Sequence, residues 1–294
     1  MSRKHNKRIG GDKQILKTTI GKKLTKLDVS YPVYGEFDSL QQSINFLNDA
    51  IGNIEYKMYF CDDASPDFDP IGKEFYKTIK LNPRFGNVTY HKQNTGFARS
   101  SNDAISLGSS NYIMFMSTDI VMEPGSIKLM LEHMESNPQI GMIAPKLLFY
   151  PNSTDPNRPA GRVQSVGSFF DIGGNPYHPF MGWHPDHPLV NVVRDVNIVT
   201  GAAFLIRRST WHKLGGFSLD YGKGYYEDID LCLRLRMLGL TIRVLPQAVG
   251  YHYVNMSFQH NTEGLSMQKN GNILKAKFGD IIPYDDWILS GLSL

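Results

Sequence analysis

The sequence of 294 residues predicts an α/β fold with a mostly parallel central sheet flanked by helices. Three observations lead there. Short β-prone runs alternate with amphipathic helical stretches through the first half, the pattern of a sheet covered on both faces. Two of those runs end in carboxylates, and ligands of open α/β sheets gather at the carboxyl ends of parallel strands. In the C-terminal third, Glu227-Asp228-Ile229-Asp230 sets three carboxylates within four residues, a cluster able to supply a general base or help organise a cation.

The first β-prone run is Asp28 to Tyr34, followed by Leu40, Ile44, Leu47 and Ile51 on one helical face behind Asp38 or Ser39 as cap. Tyr56 to Cys61 is a second apolar strand and stops at Asp62-Asp63-Ala64-Ser65. Val88 to His91 makes a third, and Asn94-Thr95-Gly96-Phe97-Ala98-Arg99-Ser100-Ser101-Asn102 opens a helix whose small residues allow close backbone approach, closed by Gly108. The fourth, Tyr112 to Met116, runs into Ser117-Thr118-Asp119. Glu123-Pro124-Gly125 then starts a helix with Ile127, Met130, Leu131 and Met134 as its inner stripe. Residues 151–198, rich in Pro, Gly, His and aromatics and weakly periodic, read as a long functional loop or lid. Leu231, Cys232, Leu235 and Leu238 repeat at helical spacing until Gly239, so the acidic cluster opens a helix, where acids also complement the helix dipole without any chemistry.

A hydrophobic content of 41% supports a substantial core. No stretch approaches the ~20 apolar residues of a bilayer span, and the N-terminus lacks the apolar core of a signal peptide, so the expected location is cytoplasmic, at most peripheral to a membrane. The net charge of +3 hides an asymmetry: residues 1–28 hold nine Lys or Arg against two Asp, the remainder 22 against 26 acids. Residues 1–27 therefore read as a basic, flexible arm, with contact to an anionic surface as the alternative. Cys61 and Cys232 lack metal-ligand spacing and read as buried thiols. His178, His184 and His187 around Trp183 match no standard zinc spacing. The chain has no P-loop, no G-x-G-x-x-G and no G-x-S-x-G elbow, which weighs against kinase, ATPase and dinucleotide-binding classes.

From about Val29 to His252 the ordered series Pro32-Val33-Tyr34, Cys61-Asp62-Asp63-Ala64-Ser65, Asn94-Thr95-Gly96-Phe97-Ala98, Asn102, Ser117-Thr118-Asp119, Gly201-Ala202-Ala203, Gly215-Gly216-Phe217, Glu227-Asp228-Ile229-Asp230 and His252 resembles the inverting glycosyltransferases of family 2 with the GT-A (Rossmann-like) fold, in particular a rhamnosyltransferase-like and galactofuranosyltransferase-like branch. The resemblance implies a domain over 28–252, with a donor half at 28–150, the 151–198 loop on the acceptor side, an acceptor half at 199–252 and a C-terminal helical extension at 253–294. It implies that Asp63 or Asp62 accepts hydrogen bonds from the nucleotide, walled by Pro32, Val33 and Tyr34, with Asn94, Gly96, Arg99, Asn102 and Thr118 bordering the nucleotide sugar. Asp119 matches the end of the family's D-x-D motif and His252 a further ligand, for Mn2+ or Mg2+. Asp228 matches the catalytic base, with Glu227 beside it in the catalytic motif; Glu227 and Asp230 orient the acceptor or bind the helix entry, and Gly201, Ala202 and Trp183 face the acceptor. Ser117 stands where many relatives carry the first Asp, which bears on metal affinity. The implied partners are a nucleotide-diphosphate sugar and a glycan, lipid-linked or nucleic-acid acceptor. A catalytically silent nucleotide- or carbohydrate-binding module and a nucleotidyltransferase are the alternatives; the second leaves the Glu227–Asp230 cluster unexplained.

Overall fold

A computed structural model describes residues 26–253 and 267–285. Strand β1 (Lys26–Val33) is buried on both faces from Leu27 onward because helices cover the sheet on both sides. Helix α1 (Phe37–Ile51) buries Leu40, Ile44, Leu47 and Ile51 as the periodicity predicts. It starts ahead of the expected cap, since Glu36 turns the chain in a left-handed conformation, and Asp38 stands in the first turn, where it complements the dipole. β2 (Glu55–Asp62), α2 (Lys73–Ile79), β3 (Phe85–Tyr90), α3 (Phe97–Ser106) and β4 (Tyr112–Met116) continue the alternation. The ladder β3-β2-β1-β4 is parallel throughout. β5 (Ile120–Met122), α4 (Ser126–Ser136) and β6 (Ile140–Phe149) follow, with Ile127, Met130, Leu131 and Met134 of α4 all buried.

The second half holds β7 (Val163–Ser165), β8 (Phe169–Phe170), β9 (Pro176–Tyr177), β10 (Arg194–Val196), β11 (Ala203–Arg207), α5 (Arg208–Leu214), α6 (Glu227–Met237), β12 (Thr241–His252) and α7 (Met267–Phe278). The main sheet runs β10-β12-β6-β11-β4-β1-β2-β3, with β5 on β12 and β7 on β6. The α/β class is as expected, and parallel pairing occurs on both sides of β11, in the β3-β2-β1-β4 ladder and in the β6–β12 pair. β11 enters antiparallel between β4 and β6. That direction sets Ala203 opposite Met116 at the carboxyl end of β4, so Gly201 and Ala202 arrive beside Ser117-Thr118-Asp119.

Successive side chains of β4 serve two cores, Met114 and Met116 on one face and Ile113 and Phe115 on the other, as strand alternation requires. The second core corrects one expectation. The 151–198 segment is packed: Val163, Val166, Phe169, Phe170, Phe180, Val190 and Val196 are all buried in that core. Its strands of two or three residues are too short to leave a periodic signal, so the sequence reads as loop.

Asp28 and Arg208 lock β1 to α5. The guanidinium donates to Asp28 Oδ2 at 2.6 Å, to the Ser110 carbonyl at 2.6 Å and to the Ile105 carbonyl at 3.2 Å, while Ser110 adds two hydrogen bonds to the same carboxylate. Cys61 and Cys232 are buried free thiols, as expected, and burial pushes Cys232 up to about 12. Residues 1–25 of the basic arm, and Phe258 and Trp287 of the C-terminal extension, lie outside the described residues. No helix among the described residues is long and apolar enough to cross a membrane.

Candidate functional site

The donor-side corner is built from strand ends. Asp63, just past β2, is buried and accepts hydrogen bonds from the Thr95 and Gly96 amides at 2.9 and 2.8 Å, from the Thr95 hydroxyl at 2.8 Å and from His91 Nδ1 at 2.6 Å. It thereby fastens the 94–96 turn to the sheet. Gly96 sits at φ 96°, and a Cβ there would fall 2.5 Å from Lys223 Cα, so glycine is required. Asn94 Oδ1 is buried in this corner and has no protein partner.

A second corner forms where β5 pairs with β12. Register partner Ile120↔His252 sets His252 beside Asp119, with Nε2 3.4 Å from Oδ1. On the other side of the ring, Nδ1 lies 3.1 Å from Gln164 Oε1, a contact that orients the imidazole toward Asp119. An imidazole nitrogen and a carboxylate oxygen set this close together are donor types that suit a divalent cation. Among the described residues no group of three or more His, Cys, Asp or Glu forms a complete cage. His178, packed close by, bonds Ser168 Oγ at 3.0 Å, and burial, with the nearby His252 adding to it, lowers its pKa.

The third corner is acidic. α6 opens with Glu227 and Asp228 after Tyr225 and Tyr226, both at positive φ (72° and 77°), a strained lead-in of the kind that clusters at functional sites. Asp228 accepts the Gly201 amide at 2.8 Å on one oxygen and the Ile229 amide at 2.9 Å on the other. The Ser117 amide in turn donates to the Ala202 carbonyl at 2.8 Å. The 117–119 turn, the 201–202 turn and Asp228 are thus one connected unit. Glu227 is buried, and its Oε2 has no protein partner. Burial, then the neighbouring Asp228 carboxylate, raises Glu227 above the usual range; burial alone raises Asp228.

The three corners face one cleft of about 450 Å³. A family model, Glycosyl transferase family 2, matches residues 28–210, more than half of the chain. The chain belongs to glycosyl transferase family 2. Among its relatives, a pre-mycofactocin glycosyltransferase of Mycobacterium tuberculosis is 25% identical over 56% of this chain and 32% of its own length. An N-acetylglucosaminyl-diphospho-decaprenol L-rhamnosyltransferase of the same organism is 26% identical over 65% of this chain and 64% of its own length. Rhamnosyltransferase WbbL of Escherichia coli is 25% identical over 54% and 61%. The chain thus spans about a third of the first relative and less than two thirds of the other two. Two solved structures share its GT-A fold: the mannosyltransferase PcManGT of Pyrobaculum calidifontis, with GDP-Man and Mn2+ (TM-score 0.52, 14% identity, 78% of this chain and 56% of that one), and GalNAc-T7 with UDP, GalNAc and Mn2+ (0.61, 13%, 78% and 43%).

In this family 2 domain, Pro32, Val33, Tyr34, Asp63, Asn94, Gly96, Thr118, Asp119, Gly201, Ala202, Glu227, Asp228 and His252 all line the cleft. Five other expected site residues stand outside it, each with a different task. Asp62 caps the turn at Ser65, accepting from its amide and hydroxyl at 2.9 and 3.0 Å. Arg99 is exposed on α3. Asn102 pins α3 to Phe217 through two bonds of 2.9 Å. Trp183 stacks edge-on between Phe180 and His187. Asp230 is fully buried among Tyr221 Oη, Arg234 Nε and Lys277 Nζ, tying α6 to its neighbours. The sequence reading missed Gln164, Ser168, Tyr177, Lys223 and Met267, and set His178 aside because its spacing fits no zinc site. Of these, only Lys223 carries a readable signal, a lysine between two glycines just ahead of the acidic cluster.

Proposed function

We propose that this domain moves a sugar from a nucleotide-diphosphate sugar to an acceptor hydroxyl with inversion at the anomeric carbon, and that Asp228 is the general base. The observation that carries this reading is the hydrogen-bonded connection from the Asp119 turn through Ala202 and Gly201 to Asp228, which holds a cation-type corner and a buried carboxylate on one cleft. Two buried oxygens in that cleft without protein partners, Asn94 Oδ1 and Glu227 Oε2, favour a polar ligand there.

In this mechanism Pro32, Val33, Tyr34, Asn94, Gly96 and Thr118 border the nucleotide sugar, and Asp63 holds the turn that shapes its pocket. Asp119 and His252 are the residues to hold Mn2+ or Mg2+, which when bound stabilises the charge developing on the departing diphosphate; Mn2+ in both structural neighbours supports this choice. Lys223 is the one Lys or Arg among the described residues lining the cleft, and adds positive charge for phosphate. Asp228, fixed on both oxygens, takes the acceptor's proton as that oxygen attacks the anomeric carbon from the face opposite the leaving group. One bond forms as the sugar–phosphate bond breaks, so a single displacement inverts the centre. The decaprenol-linked substrate for which the rhamnosyltransferase relative is named favours a lipid-linked acceptor over a nucleic acid.

Nucleoside diphosphates with Mn2+ are expected to raise the melting temperature. At ~100 times the dissociation constant the stabilisation is about 2.7 kcal/mol. Asp119→Ala is expected to lose the metal-dependent part of that shift. If no nucleoside diphosphate shifts the wild-type protein with any divalent metal, the transferase reading falls.

A further inference from the structure

The chain from Tyr221 to Tyr226 delivers Glu227 and Asp228 to the cleft, yet after the 3-10 turn at 219–221 it consists of turns and bends. Tyr225 and Tyr226 hold positive φ in succession, a backbone state that lasts only where surrounding contacts impose it. On one side the Lys223 carbonyl accepts the Phe97 amide at 3.0 Å, which ties the loop to the start of α3. On the other side the contact comes from α7. Asn270, only 3% exposed, aims Nδ2 at the carbonyl oxygens of Tyr221 and Gly224 at 2.9 Å each and of Tyr225 at 3.0 Å. A side-chain amide carries two N–H donors, so one hydrogen is shared between carbonyls, and no acid or aliphatic of that size can replace it. The next residue, Gly271, leaves room for Tyr226, whose hydroxyl would lie 3.2 Å from a Cβ there. A few turns on, Lys277 reaches Asp220 at 2.6 Å and Asp230 at 3.0 Å, so α7 grips the chain on both sides of the loop.

We propose that Asn270 is a positioning residue for sugar transfer: it holds the 221–226 loop in its strained form, so that Asp228 meets the acceptor. The proposal rests on the transferase reading above. Without the amide, three carbonyls lose their donor, Tyr225 and Tyr226 are free to leave the left-handed region, and the start of α6 turns with them. The hydrogen bonds that hold Asp63 and His252 come from other elements, and Lys223 is tied to the start of α3 through its own carbonyl and the Phe97 amide, so donor binding does not depend on this contact.

The test compares the full-length wild type with Asn270→Asp and Asn270→Ala. Binding is read as the melting shift with GDP or UDP plus Mn2+, and turnover as nucleoside diphosphate released from GDP-mannose and UDP-sugars by transfer to water. Both variants are expected to keep the nucleotide-induced shift and the KM for donor within about twofold, while kcat falls by at least about tenfold and the acid limb of its pH profile moves. Hydrogen exchange across 218–228 is expected to quicken in both variants and not over 58–66. Unchanged kcat and pH profile, or kcat and donor binding lost in equal proportion, overturns the positioning role. If the wild type itself neither binds nor turns over any nucleotide, the transferase reading fails separately, and unchanged exchange over 218–228 then overturns the loop-holding role by itself.

Discussion

Asp228→Asn is expected to lower sugar transfer by about 10²–10⁴-fold, the usual contribution of a positioned general base, while the melting shift with nucleoside diphosphate and Mn2+ persists. The asparagine has nearly the same shape but cannot take a proton from the acceptor hydroxyl. It also meets two backbone amides, those of Gly201 and Ile229, with a single oxygen, so one of the two bonds at 2.8 and 2.9 Å is lost. The pH dependence follows from the direction of the shift. Burial raises Asp228, so the wild-type rate is expected to climb with pH along an acid limb displaced above the ordinary carboxylate range. That limb belongs to Glu227 and Asp228 jointly because the two carboxyls are adjacent and interact. Retained transfer in Asp228→Asn, with a normal acid limb, rules out Asp228 as base. A wild type that binds nucleotide but never turns it over points instead to the silent binding module.

Glu227 tests the same acidic corner through stability. Its carboxyl is raised by burial and by Asp228, so the folded state holds a proton that the unfolded chain releases. The stability gained from that proton is fully present below the unfolded pKa and is lost as pH rises through the folded one. Glu227→Gln keeps a neutral group at all pH values. Its melting temperature is therefore expected to fall less than that of the wild type from acidic to mildly alkaline pH, with activity reduced, the trade expected where a site is strained for function. Parallel pH profiles for the two proteins contradict this account.

The elements readable in the sequence were those long enough to repeat a period or to form a continuous apolar run. The inner stripe of Ile127, Met130, Leu131 and Met134, and Leu231, Cys232 and Leu235 of α6, match the structure because the burial that shapes them recurs at helical spacing, whereas Leu238 of the same run lies past the helix end and is exposed; Tyr112 to Met116 was legible as a continuous apolar run, buried on both faces from Ile113. Cleft residues at strand ends, Asp63, Thr118 and Asp119, were legible for a topological reason, since parallel strands all finish on one side. What stayed hidden depends on pairing across the fold. Gln164 reaches His252 only because the three-residue β7 pairs with β6, and Asn270 reaches Tyr225 only because α7 packs back over the 3-10 turn. Asp230 shows the converse: two residues after the proposed base, it faces the opposite side of the same helix and is consumed by Arg234, Lys277 and Tyr221. Roughly half a turn of helix separates chemistry from scaffolding there.

The largest expected loss of stability lies away from the cleft, at the Asp28–Arg208 pair. Arg208→Met is expected to cost about 3–5 kcal/mol, the range for stranding one partner of a buried ion pair. Asp28 is 2% exposed, and without the guanidinium its charge keeps only the Ser110 amide and hydroxyl as donors. The carboxylate cannot swing away cheaply, because Gly108 packs so tightly that a Cβ there would approach Oδ2 to 2.2 Å. The carbonyls of Ile105 and Ser110 lose their guanidinium donors as well. Adding Asp28→Asn to Arg208→Met removes the stranded charge, so the double variant is expected to be more stable than Arg208→Met alone, a coupling that a double-mutant cycle reads directly. Function separates from stability by distance. Asp28 lies near the start of β1 and the cleft at its far end, five residues and roughly 16 Å along the strand. Below its lowered melting point, Arg208→Met is expected to show the wild-type nucleotide shift. A melting temperature unchanged from wild type means the pair does not hold β1 to α5, and a lost nucleotide shift in the folded variant means that β1 transmits strain from its buried end to the site.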